Sequence, residues 1–331
     1  MIDKTKPMDL GDIFSNTFKL IGQTFSRNLI IAAAFIIPTG IIMAYTMDYF
    51  FSDLMEFVRI STEFTEEEIK AQIISKLISN FILVSIAFII FLLGHLAALI
   101  GVTKISWGSI NDIRISLGEA FNKIFSDTYW RSVGQILLMS LALYACVTAG
   151  IVIIILGSTS DITILKIIGA FGIIAGILLM LYLIFRWYFA FTAIVCEDKK
   201  VIESFSKSSM LVEGEWWRTF GIVILFSILI DFAVSIISTP VYFIAMWDFF
   251  SLYFQMLAGD YINENDPEII FNMLESFGFS IGVVVLVSTL LETLVAPVFN
   301  VVYYADLKIR KNDYPELNIA DSETGGLLPV E

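Results

Sequence analysis

The sequence predicts an all-α membrane protein with six transmembrane helices. They are arranged as three tandem helical hairpins, each preceded by a cytoplasmic interfacial amphipathic helix. Composition is the first observation behind this prediction, because 57% of the 331 residues are apolar and only 16% are charged. Soluble domains have about 45–50% apolar and about 25% charged residues. The length of the apolar stretches and the placement of the basic residues are the other two observations.

Six apolar stretches with few or no charges are long enough to cross a bilayer. They lie at residues 28–47, 77–103, 132–160, 167–185, 219–247 and 276–305. Crossing a hydrocarbon core of about 30 Å takes about 20 apolar residues in a helix. Because lipid offers the backbone no hydrogen-bond partner, each stretch must satisfy its own N–H and C=O groups as a helix.

The basic residues lie mostly on one side of the predicted spans. If the N-terminus is cytoplasmic, the cytoplasmic segments carry 16 Lys and Arg residues and the opposite segments carry 4. Cytoplasmic loops of membrane proteins are enriched in Lys and Arg. The distribution therefore predicts that both chain termini face the cytoplasm. We expect a multi-pass protein of the bacterial inner membrane.

A similar amphipathic stretch precedes the first, third and fifth spans. Each copy has a Phe and, 10 to 13 residues later, an Arg at the mouth of the span; the pairs are Phe14 and Arg27, Phe121 and Arg131, and Phe205 and Arg218. In the first copy six apolar side chains share one helical face: Leu10, Ile13, Phe14, Phe18, Ile21 and Phe25. Such a helix is expected to lie flat in the interface before the chain turns into the membrane.

These repeats predict how the domain is organised. We expect one six-helix transmembrane domain over residues 1–310, built from units at about 8–103, 115–196 and 200–310, and a flexible cytoplasmic tail over 311–331. The fourth span also has a face of small residues, which are Gly169, Gly172, Ala175 and Gly176. Small residues let helices approach closely in membranes. This face predicts packing within the bundle, with dimerisation as the alternative.

A motif lies between the fourth and fifth spans. Its members follow the spacing Ser-x-x-Leu-x-x-Gly-x-x-Trp-Arg and are Ser208, Leu211, Gly214, Trp217 and Arg218. A second motif closes the last span, with Tyr304, Asp306 and Arg310. The two motifs resemble those of the bacterial glycerophosphoryl diester phosphodiesterase membrane-domain-like family.

The resemblance covers nearly the whole chain, with two departures in the second motif. An Ala separates Tyr304 from Asp306, and Lys308 stands where the family pattern has Arg. The resemblance implies a polytopic membrane module without the catalytic phosphodiesterase domain to which some family members are fused.

The sequence lacks the parts of a catalytic site. A phosphodiesterase of this kind needs clustered His and carboxylate groups around a metal ion, and the chain has 1 His. No zinc-peptidase, phosphate-loop or Ser–His–Asp set can be built from its water-facing residues. We therefore expect a protein without enzymatic activity, cofactor, metal ion or nucleic-acid partner.

Three ionisable residues lie inside predicted spans: His95 in the second, Asp231 in the fifth and Glu292 in the sixth. A charge at that depth is costly, which makes each a candidate functional group. One interpretation is a proton or cation site shared by the two carboxylates, with His95 completing a relay. The other is structural: protonated carboxyls bond to Ser or Thr one turn away and hold helices together.

The repeated arginines Arg27, Arg131 and Arg218 are candidates for contact with lipid phosphate, since a basic residue near an anionic surface contributes about 1 kcal/mol. The alternative is that they serve only to set topology. Membrane lipids are the expected partners, together with a membrane-protein partner or a second copy of the chain. The leading functional hypothesis is a non-enzymatic scaffold or accessory module of the cell envelope. Its rival is a small transporter or channel that uses His95, Asp231 and Glu292.

Overall fold

The structure is a computed structural model, and it describes residues 6–61, 66–160, 162–258 and 273–313. Within these ranges the chain is helical apart from short turns, and no strand is present. The helices are α1 (Leu10–Ser61), α2 (Glu66–Ile110), α3 (Leu117–Ile124), α4 (Asp127–Thr159), α5 (Thr163–Arg186), α6 (Ala190–Glu197), α7 (Val201–Val212), α8 (Trp216–Ala245), α9 (Trp247–Ala258) and α10 (Phe277–Arg310).

Six helical segments are long and apolar enough to cross a membrane. Helices α1, α2, α4 and α8 supply one segment each. The helices α5 and α6 together supply another, and α10 supplies the last together with residues 273–276. Each contains a window of 18 residues with a mean hydropathy between 2.1 and 2.7. The predicted all-α fold is confirmed for the described residues, and the six helices long and apolar enough to span a membrane indicate a multi-pass membrane protein.

The first amphipathic stretch differs from its prediction. It does not end before the span, because α1 runs without a break from Leu10 to Ser61. On its surface Leu10, Phe18 and Phe25 of the predicted apolar face are exposed, and Ile13 of that face is buried together with Thr17 and Leu20. No helix-breaking residue separates the stretch from the span, and the hydroxyl of Thr17 donates to the carbonyl of Ile13 within the helix at 2.7 Å.

The second and third amphipathic stretches do form separate helices. Helix α3 begins with a capping box, in which Glu119 N donates to Ser116 Oγ at 3.2 Å and Ser116 N donates to the Glu119 carboxylate at 2.6 Å. Ser126 then caps α4, because its hydroxyl accepts from Thr128 N at 3.3 Å. Because Ser116 and Ser126 each cap the start of a helix, the second stretch is a helix separate from the one that supplies the span.

The described chain divides into two compact units. Unit 1 comprises 1–24, 103–227 and 297–331, and unit 2 comprises 25–102 and 228–296. Of the predicted tandem units, 115–196 falls within unit 1, whereas 8–103 and 200–310 each contribute residues to both compact units. Four long helices, α1, α2, α8 and α10, contribute residues to both units. Of the predicted tail, residues 311–313 are described and 314–331 lie outside the described residues.

Helices α4 and α5 of unit 1 form a closely packed hairpin. Gly169 and Gly176 on α5 and Gly150 on α4 are buried where the two helices meet. A Cβ atom added at Gly150 would lie 2.6 Å from the backbone nitrogen of Ile173, and one added at Gly176 would collide with the carbonyl of Cys146. The small-residue face predicted for the fourth span is therefore a helix contact within the chain.

Candidate functional site

Asp306 lies at the centre of an ionic cluster in unit 1. It is fully buried on α10, and each carboxylate oxygen is occupied. Met8 N donates to Oδ1 at 2.7 Å, Arg218 Nη1 donates to Oδ2 at 2.7 Å, and Arg310 Nε donates to Oδ2 at 2.9 Å. Charged hydrogen bonds of this kind are short and about twice as strong as neutral ones.

The same two guanidinium groups also bind the backbone of Met8. Its carbonyl accepts from Arg218 Nη2 at 3.0 Å and from Arg310 Nη2 at 2.7 Å. Asp306 and the two arginines therefore bind both polar backbone groups of Met8, two residues before the start of α1. We call Met8, Arg218, Asp306 and Arg310 the Asp306 cluster.

A second cluster forms around Glu197 at the end of α6. Oε1 of Glu197 accepts from the Tyr304 hydroxyl and from Lys308 Nζ, both at 2.7 Å, and Lys207 Nζ lies 3.6 Å from Oε2. Lys207 also forms an ion pair with Asp313. This Glu197 cluster fastens α6, α7 and α10 together in unit 1.

Ser208 and Leu211 position α7 beside the end of α5. The hydroxyl of Ser208 accepts from Phe189 N at 3.1 Å and donates to the carbonyl of Arg186 at 2.9 Å. Leu211 is fully buried one turn later. The turn after α7 requires Gly214, whose φ of +78° is a conformation that other residues rarely adopt. This turn brings Arg218 to Asp306.

The structure thus gathers most of the two motifs into unit 1. Tyr304 and Asp306 point into different clusters, although only one residue separates them. Trp217 belongs to neither cluster: its side chain is 78% exposed and forms T-shaped pairs with Trp216 and Phe220. Ser208, Arg218, Tyr304 and Asp306 connect segments that are distant in the sequence.

The three repeated arginines have different surroundings. Arg218 is engaged in the Asp306 cluster. Arg131 Nη1 donates to the carbonyl of Asp198 at 3.1 Å, and its Nη2 lies 3.4 Å from the carboxylate of Asp127. Arg27 is half-buried on α1 in unit 2. Equivalent places in the sequence repeat therefore do not give equivalent sites.

The candidate residues inside the spans lie in unit 2. Asp231 on α8 and Glu292 on α10 are both exposed on their helices, and their carboxyl groups are close enough to interact electrostatically. His95 is half-buried on α2. Within the described residues neither carboxyl makes the expected hydrogen bond to a nearby Ser or Thr. The hydroxyl of Ser288, one turn from Glu292, instead contacts Tyr242 OH at 2.5 Å.

Sequence reasoning missed Met8, Glu197 and Lys207. Met8 takes part through its backbone, which no side-chain pattern reveals. Glu197 had a recognisable signal in the sequence, because it directly follows an apolar run at residues 193–196. In the structure Ala193, Ile194 and Val195 are fully buried. A carboxylate at the edge of such a run needs a cationic partner.

Six apolar helices and two buried ionic clusters at helix ends define a polytopic helical membrane protein. The chain belongs to the family described as "Domain of unknown function (DUF7847)", whose model matches residues 71–307. The matched range contains Glu197, Arg218 and Asp306. No curated protein and no solved structure matches the chain.

Proposed function

We propose that this protein is a non-enzymatic membrane scaffold or accessory module of the bacterial cell envelope. The hairpin of α4 and α5 is the observation that carries the proposal. In the most apolar 18-residue window of the span, 6% of residues are buried for α4 and 11% for α5, against 28% to 33% for the other four spans. This hairpin therefore offers most of its apolar surface to lipid or to another protein.

The exposed surface of the hairpin is large and includes aromatic side chains. Leu141 and Tyr144 on α4 are 68% and 72% exposed, and Phe171 and Leu178 on α5 are 69% and 63% exposed. Because α4 and α5 are already locked together by their glycines, they present a preformed surface. A preformed surface loses little conformational entropy on association.

The ionic clusters support the same proposal. Their carboxylates and cations bind one another and the backbone, and so hold helices in place. We propose further that both termini are cytoplasmic, that the spans derive from three tandem hairpins, and that the resemblance to the glycerophosphoryl diester phosphodiesterase membrane-domain-like family reflects shared ancestry. The asymmetry of Lys and Arg supports the orientation.

Site-specific photocrosslinking tests the scaffold. A photoreactive amino acid at Leu141 or Phe171 in cells is expected to give a discrete protein adduct, because these side chains point away from the chain's own core. The matched control position is Ile105, which is fully buried and should crosslink only within the chain. Adducts with lipid alone from both hairpin positions would overturn the proposal.

The transporter remains a second candidate because Asp231 and Glu292 interact electrostatically inside the spans. If the scaffold is correct, replacing both with amides (Asp231→Asn with Glu292→Gln) leaves proton and cation flux into proteoliposomes at the level of protein-free vesicles, as for the unmodified protein. Flux through the unmodified protein that falls at least about tenfold in the double variant would favour the transporter.

A further inference from the structure

A wide, open surface cavity of about 600 Å³ lies in unit 1 where α4 begins. Every side chain that lines it is charged or polar, and the lining contains three cations and three carboxylates. The charged residues are Lys104, Lys123, Arg131, Glu119, Asp127 and Asp198. A site with balanced charges suits a ligand that itself carries both signs.

Two of the ion pairs are closed within the protein. Lys123 pairs with Asp198, and Arg131 pairs with Asp127 at 3.4 Å. The other two charged residues of the lining, Lys104 and Glu119, are in neither of these pairs. Within the described residues Lys104 makes no hydrogen bond or ion pair, although Glu119 is close enough to interact with it electrostatically.

One of the two carboxylate oxygens of Glu119, Oε1, is available to accept a hydrogen bond from a ligand. Both hydrogen bonds that it accepts, from Ser116 N at 2.6 Å and Ser116 Oγ at 2.8 Å, end on Oε2. The backbone N–H of Ser116, followed by its hydroxyl, lowers the pKa of the Glu119 carboxyl. The group is therefore ionised at neutral pH, and its Oε1 can accept from a bound donor.

The cavity lies at the edge of a membrane span. Ser126, Asp127, Thr128 and Arg131 form part of its lining and belong to the cap and the first turns of α4. Leu138, two turns after Arg131 on the same face of α4, is apolar and 40% exposed. A headgroup in the cavity could therefore leave its acyl chains along α4.

We propose that this cavity binds a phosphoethanolamine group, with the phosphate on Lys104 and the primary ammonium on Glu119. The inference deepens the proposed function by naming a lipid class that the scaffold would select, and it rests on that function. A purely anionic headgroup would meet the Glu119 carboxylate without an ammonium to offset it. A choline headgroup has no N–H to donate to Glu119.

Native mass spectrometry of the full-length protein tests the proposal. Delipidated protein in detergent is titrated with phosphatidylethanolamine, phosphatidylcholine and phosphatidylglycerol of identical acyl chains. We expect phosphatidylethanolamine to be retained about tenfold more strongly than the other two, the ratio given by one charged hydrogen bond. Lys104→Gln should remove most of that retention. Arg114→Gln, an exposed cation outside the cavity, should leave it unchanged.

Glu119→Gln should remove the preference for phosphatidylethanolamine over phosphatidylcholine, whereas Glu213→Gln, an exposed acid outside the cavity, should preserve it. Free phosphoethanolamine distinguishes the source of the group. Displacement of bound lipid by the soluble compound at millimolar concentration would confirm the chemistry and identify a soluble ligand, while retention of the lipid would identify the membrane as the source.

Equal retention of the three lipids, or retention unaffected by Lys104→Gln, would overturn the headgroup site. That failure is distinguishable from failure of the scaffold, because crosslinks from Leu141 or Phe171 report the hairpin surface independently of the cavity. If the protein adducts from Leu141 and Phe171 are absent while phosphatidylethanolamine is still preferred, the scaffold proposal is wrong and the headgroup site stands.

Discussion

Asp306→Asn is expected to lower the free energy of unfolding by about 3 kcal/mol, the lower end of the range for breaking a buried ion pair. The carboxylate is fully buried, so its neutralisation leaves two guanidinium groups without their counter-charge. We take the lower end because the side chains of Arg218 and Arg310 are each 23% exposed and can recover some hydration. The midpoint of thermal unfolding in detergent, followed by tryptophan fluorescence, measures the change.

Asp12→Asn is the matched control, since it makes the same substitution at an exposed position in the first turn of α1. It should shift the midpoint by little, because surface substitutions usually change stability by about 0.5 kcal/mol or less. Equal midpoints for the Asp306 and Asp12 variants would show that the cluster adds nothing to stability.

Gly176→Leu is expected to separate α4 from α5. A Cβ at this position would collide with the backbone carbonyl of Cys146, and a backbone group cannot move aside as a side chain can. Overpacking of a core typically costs about 1–3 kcal/mol, and we expect the upper end here because the obstacle is main chain. The thermal midpoint and the rate of limited proteolysis in detergent both report the loss.

Gly221→Leu provides the comparison, because it adds the same side chain to a spanning helix at a position where the new Cβ would have no atom within 4 Å beyond its chain neighbours and the local backbone of its own helix. The two variants differ only in whether the added side chain meets another helix. If they unfold at the same temperature, close packing of the hairpin does not contribute to stability.

Length and hydrophobicity sufficed to predict the six spans, since a lipid environment leaves a helix as the only solution for a long apolar stretch. The positions at which the helices begin and end were harder to predict. The amphipathic stretch before span one resembles those before spans three and five, yet α1 is continuous while α3 and α7 are separate. The difference depends on local capping: Ser126 starts a new helix, and Gly214 forms the turn before α8.

The site was predictable only in part, for a physical reason. Motif residues such as Ser208 and Asp306 could be selected by their pattern, but their partners depend on tertiary structure. Asp306 is bound by residues from two distant parts of the chain, and one of them, Met8, contributes only backbone atoms. The exposure of Asp231 and Glu292 could not be predicted either, because the sequence of a helix does not determine which of its faces another helix will cover.

The hydrogen bond between Met8 and Asp306 has a consequence for biosynthesis. The two residues are 298 positions apart in the chain, so the bond cannot form until the last helix has left the ribosome. At about 5–20 residues per second, translation of the intervening chain takes about 15–60 s. Throughout that interval the segment before α1 lacks the hydrogen bonds that Asp306 and Arg310 make with the backbone of Met8. This part of unit 1 therefore reaches its final arrangement late, only after α10 has been made.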